Sequence, residues 1–140
     1  MKIESITGLF TLELPNNWFF EFEDDVYSIY CDGFQGVIQL SAYFSESANF
    51  NIDEILISEK KRFPEMEKSK LNIYDSVLSI QKTDDNLIQY SWITGINGIR
   101  IFVTLVTDYE NNSEEQLKRV KIAVNILNTI QLFPNILQTG

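Results

Sequence analysis

Ile88-Gln89-Tyr90-Ser91-Trp92-Ile93-Thr94-Gly95-Ile96-Asn97-Gly98-Ile99-Arg100-Ile101-Phe102-Val103-Thr104-Leu105-Val106-Thr107 is two β-rich runs joined at one Asn-Gly pair. Asn-Gly between such runs is a strong short-range hairpin signal, because both residues suit the positive φ of a type I′ turn. A two-residue loop at Asn97-Gly98 fixes the register. Ile96 then faces Ile99, Thr94 faces Ile101, Trp92 faces Val103, Tyr90 faces Leu105 and Ile88 faces Thr107. That face is almost wholly apolar and is expected to be core. The other face pairs Ile93 with Phe102 and Gln89 with Val106, and sets Arg100 near Gly95. It is mixed and expected to be only partly covered.

Working upstream, residues 76–82 read as a weaker strand that turns at Thr83-Asp84-Asp85-Asn86. Before it, Asn51 and Glu54 form a capping box, with Phe50 and Ile55 at the staple positions. Ile52, Ile55, Leu56 and Phe63 keep helical spacing, with Lys60, Lys61 and Arg62 expected in the last turn and Pro64 ending the helix near Phe63. The first forty-five residues hold short strands instead. Leu9 to Leu14 alternates until Pro15-Asn16-Asn17, Trp18 to Phe22 is aromatic, Val26 to Cys31 follows, and Gly36 to Phe44 sets Ile38, Leu40, Ala42 and Phe44 on one face. Downstream of the hairpin, Ser113 and Gln116 make a second capping box. It starts a helix whose stripe is Leu117, Val120, Ala123, Val124 and Leu127. The order ββββαβββα predicts an α+β domain: a mainly antiparallel sheet of seven strands packed with two helices. All 140 residues fit one domain, with a tail that frays from residue 134.

The chain contains no histidine and one cysteine, Cys31. Histidine is the commonest general acid/base near neutral pH and the commonest metal ligand. Triads built on it and Cys/His zinc sites are therefore excluded, and no catalytic residue, metal or cofactor is expected. Asp108, Glu110, Asn112 and Glu114 alternate like a calcium loop, but the glycine and closing glutamate of such a loop are replaced by Ser113 and Arg119. Nowhere are there about 18 consecutive apolar residues, so no membrane span is expected. The opening residues carry no apolar run of signal-peptide length, which makes the cytoplasm the expected compartment.

The net charge of −9 is unevenly placed. Residues 1–57 hold Lys2 as their one base against ten acids, whereas residues 58–140 hold ten of each. An acidic half repels phosphate backbones, which argues against nucleic acid as a partner and for a basic protein. Aromatic residues crowd the same half: Trp18, Phe19, Phe20, Phe22, Tyr27 and Tyr30. Adjacent strand positions point to opposite faces, so some of these lie beneath a helix or open to solvent. Trp18, Phe20, Glu21, Glu23, Asp24, Asp25 and Tyr27 are therefore the candidate partner-binding residues.

Gly8-Leu9-Phe10-Thr11-Leu12-Glu13-Leu14-Pro15-Asn16-Asn17-Trp18, together with the element order, resembles the PsbP/DcrB-like superfamily. Members often begin with an amphipathic strand, then Leu-Pro, two turn residues and Trp. They include a photosystem subunit, a Ran-binding nuclear factor, bacterial lipoproteins and toxin chaperones. The resemblance implies an α/β/α sandwich and non-enzymatic binding work; it carries over no binding residue. The expected function is a non-catalytic protein-binding module: an adaptor, chaperone or immunity-type protein. The alternatives are a carrier or sensor of a small apolar ligand between sheet and helix, and, more remotely, an enzyme built on two converging carboxylates.

Overall fold

A computed structural model describes residues 1–45 and 49–133. The order is β1 (Lys2–Glu4), β2 (Phe10–Glu13), β3 (Trp18–Glu23), β4 (Val26–Cys31), β5 (Val37–Phe44), α1 (Ile52–Glu59), β6 (Glu67–Leu71), β7 (Tyr74–Lys82), β8 (Leu87–Ile96), β9 (Ile99–Asp108), α2 (Ser113–Leu127) and β10 (Gln131–Leu132). Seven strands form one antiparallel sheet in the order β3-β4-β5-β9-β8-β7-β6. The strand expected at 9–14 is β2, and it pairs with β1 and β10 in a separate small sheet. The seventh place in the large sheet belongs to β6, whose polar sequence gave no strand signal. The tail expected to fray from residue 134 lies outside the described residues.

The β8–β9 register is the one expected, from Ile96 against Ile99 to Ile88 against Thr107. The turn itself differs. Gly98 has φ 91°, but Asn97 is not at positive φ, so the turn is not type I′; the signs are those of type II. The Asn97 side chain is engaged elsewhere, because its Oδ1 accepts the Phe50 N–H at 2.9 Å. Nearby, a Cβ on Gly95 would run into the Ile99 carbonyl oxygen, so any other residue there forces the hairpin backbone to shift.

Every second residue of the large sheet points into one core. Tyr27, Ile29, Ile38, Leu40, Tyr90, Trp92, Ile101, Val103 and Leu105 pack with Leu9, Phe10 and Leu12 of the small sheet region and with Ala123, Ile126 and Leu127 of α2. The opposite face has a smaller cluster, where Ile55 of α1 and Met66 meet Val77 and Ile93. The two helices therefore lie on opposite faces, which makes the α/β/α sandwich. α1 contacts β6 and β7, and among the described residues Phe19, Val37, Tyr43 and Phe102, on the outer face of β3, β5 and β9, are exposed.

Both helices start on asparagine caps. Asn51 Oδ1 accepts the N–H groups of Asp53 and Glu54, as its spacing predicts. The helix then ends at Glu59, short of Lys60 to Arg62. Pro64 disfavours helical geometry at Phe63, and the Glu59 carbonyl closes a turn by accepting from both Arg62 and Phe63. At α2 the cap is Asn112, one residue before the expected Ser113. Gln116 reaches past the cap to accept the Glu110 N–H at 3.0 Å.

Candidate functional site

The candidate residues fall on the β3–β4 hairpin, the terminal hairpin of the large sheet. Its two-residue turn is Asp24-Asp25, with φ 54° and 65°. Positive φ at both positions is the type I′ pattern, which asparagine and aspartate tolerate better than most residues. At the other end of β3, Asn17 (φ 70°) lets the chain turn, and the Trp18 N–H donates to the Pro15 carbonyl at 3.3 Å. The Leu14-to-Trp18 motif is thus a structural turn that delivers the first residue of β3 to the core.

Residue parity divides the candidates. Trp18, Phe20 and Phe22 lie on the core-facing side, opposite Cys31, Ile29 and Tyr27; Phe19, Glu21 and Glu23 lie on the outer side. Trp18 is buried, with its ring 5.1 Å from that of Phe34. Tyr27 is buried too, wedged between Phe10 at 5.4 Å and Phe22 at 4.4 Å, and its hydroxyl accepts the Ile6 N–H at 2.6 Å. These two are scaffold residues. Phe20 and Phe22 share their side of the sheet but remain 39% exposed, because the core ends before its edge, and Phe19 is 49% exposed.

The acids are all at the surface. Glu21 accepts a hydrogen bond from the Tyr30 hydroxyl at 3.0 Å, which raises the Tyr30 pKa above the ordinary tyrosine value. Among the described residues no ion pair involves Glu21, Glu23, Asp24 or Asp25; every pair there lies elsewhere. Asp25 lines a cleft of about 350 Å³ between the β1–β2 connection, the hairpin end and β5. The walls of that cleft include Ile6, Leu9, Phe22, Tyr27 and Phe44. A second groove, about 370 Å³, runs between Leu14-Pro15 and Ile122 and Ile126 of α2.

The calcium-like run is occupied by structural bonds. Glu110 pairs with Arg119 at 2.9 Å, and Asn112 caps α2. Among the described residues no group of three or more acids, cysteines or histidines is placed to hold a metal ion. Cys31 packs against the main core as a half-buried residue. No described helix is long and apolar enough to cross a membrane.

What sequence reasoning missed is the position of β3 in the sheet. Among the described residues no strand pairs with its outer side, whereas the opposite edge, β6, carries Lys68 and Lys70. Alternation reveals a strand but not its neighbours.

No family model matches the sequence, and no curated protein matches it. Solved structures do resemble it. One is a protein from Bacteroides thetaiotaomicron VPI-5482, with TM-score 0.71 and 17% identity over 94% of this chain; the chain spans about half of that protein, 48%. Another is cyanobacterial PsbP (CyanoP) from Synechocystis sp. PCC 6803, with TM-score 0.62 and 10% identity over 95% of this chain and 92% of that one. LpqN of Mycobacterium tuberculosis, a protein involved in cell envelope biogenesis, overlaps less, at TM-score 0.48 and 15% identity over 89% and 83%. At 17% and 10% identity the likeness to the first two is one of fold, and the fold is a PsbP-like α/β/α sandwich.

Proposed function

We propose that this chain is a non-catalytic protein-binding module, of the adaptor, chaperone or immunity type, whose contact surface is the acidic, aromatic β3–β4 hairpin. One observation carries the reading. Phe19, Phe20 and Phe22 stand exposed on a terminal strand among Glu21, Glu23, Asp24 and Asp25, acids that form no ion pair among the described residues. Exposed aromatics supply anchors, and uncompensated acids steer a basic partner. Affinity purification from the native cell at low salt, in parallel with the quadruple variant E21K/E23K/D24K/D25K, tests it. A basic protein retained by the wild type, released by salt and lost by the variant is the expected result. Equal retention by both chains rejects the reading.

A second reading, carriage of a small apolar ligand, is favoured by the 350 Å³ cleft and its walls of Leu9, Phe22 and Phe44. That cleft lies at the end of the sheet, not between sheet and helix. Saturable binding of a long-chain alcohol, weakened by Phe44→Ser, is the outcome that would favour it.

A further inference from the structure

The two edges of the large sheet are unlike, and the difference specifies how a partner would bind. In a hairpin with a two-residue loop, the residues flanking the loop form a hydrogen-bonded pair, and such pairs recur at every second position. Glu23 with Val26, Glu21 with Ser28 and Phe19 with Tyr30 therefore exchange bonds within the hairpin. The N–H and C=O groups of Phe20 and Phe22 point the other way, to the open side. The Trp18 N–H obeys the same parity, since it turns away from β4 to reach Pro15.

A row of unpaired backbone groups on an edge strand is a template for another strand. At the β6 edge, Lys68 and Lys70 are already matched by Asp53 and Asp75 of the same chain, at 2.8 and 3.9 Å. At the β3 edge nothing in the described residues offsets Glu21 and Glu23. We infer that β3 accepts an extended segment of a basic protein as an added strand, with alternating lysine or arginine and apolar residues. This deepens the proposed protein-binding reading and rests on it. In register, each basic side chain of the added strand stands beside Glu21 or Glu23 on the outer face, and each apolar one beside Phe20 or Phe22 on the inner face. A second copy of β3 fits worse. Antiparallel pairing centred on residue 21 sets Glu21 against Glu21, and each chain carries a net −9.

The test uses a capped peptide alternating lysine and valine, as long as β3, titrated against the full chain and followed by the backbone amide signals of β3. Controls are a peptide of the same composition in two blocks, and the alternating peptide with N-methyl groups on the amides that face β3. The alternating peptide is expected to bind about tenfold or more tightly than either control, because both keep its charge while one loses the alternation and the other the backbone donors. Two chain variants give an independent reading. Phe20→Pro removes an outward N–H and leaves the β4 ladder intact, and Phe20→Val keeps that N–H. Phe20→Val measures the loss of the ring alone, and Phe20→Pro is expected to bind about tenfold or more weakly than Phe20→Val. Equal binding of all three peptides, no binding of the alternating one, or a dimer of the chain that Phe20→Pro dissolves each overturns strand addition. A native partner that binds Phe20→Pro unchanged but is lost with E21K/E23K/D24K/D25K rejects this inference and leaves the protein-binding reading standing.

Discussion

Asp24 and Asp25 both hold positive φ in a turn where Asn-Gly is the easier choice. Replacing them with Asn and Gly is expected to stabilise the chain by about 0.5–1 kcal/mol, since glycine reaches that φ without a steric penalty. Differential scanning calorimetry reads this as a rise in Tm. The same exchange removes two negative charges, so under the proposed function it is expected to weaken attachment to a basic partner while strengthening the fold. Gly95 is the opposite case. Its absent side chain makes room for the Ile99 carbonyl, so Gly95→Ala is expected to cost about 1–3 kcal/mol in urea denaturation. Tyr90 supplies a pH dependence. Burial raises its hydroxyl above the ordinary value of 10.0, with the Gln116 amide pulling the other way. The unfolded chain releases that proton first, so the contribution is intact below pH 10.0 and is lost as pH rises through the higher folded value. Tyr90→Phe is expected to lose less stability than the wild type between pH 8 and 11 in denaturant titrations.

Single elements show what the amino-acid order makes legible. The β8–β9 register follows from the length of the loop, and it survives although Asn97 does not adopt the expected φ. The α2 cap shifts by one because Asn112 and Ser113 are both good caps, and local preference does not choose between them. Strand β6, with Glu67, Lys68 and Lys70, carries no apolar alternation; its pairing with β7 makes it a strand. Three-residue β1 and two-residue β10 are too short for any period to register. At the candidate site the surface position of the acids is readable from the local pattern. The burial of Trp18 and Tyr27 is not, because parity becomes burial only once the neighbouring layer is known. For α1, Asn51→Ala is expected to cost about 1 kcal/mol and to speed amide exchange in that helix more than in β8 or β9.

Across the whole molecule, two cores of unequal size lie on either side of one sheet. Leu40→Ala, in the larger core, is expected to cost about 2–5 kcal/mol in a single cooperative transition. Ile55→Ala, in the smaller one, is expected to loosen α1 before the sheet, and hydrogen exchange followed element by element separates the two outcomes. The placement of helices on opposite faces follows from residue parity in β7 and β8. Val77 and Ile93 look toward α1, while Leu78 and Trp92 look toward α2. Helical periodicity says that each helix has an apolar stripe; it does not say which side of the sheet the stripe meets.

The lysines of β6, each paired with an acid of its own chain, leave that end of the sheet without the uncompensated charge that the β3 end carries. Recruitment by charge is therefore confined to the β3 end, where one basic strand neutralises the acids that attracted it and leaves little charge to draw a second.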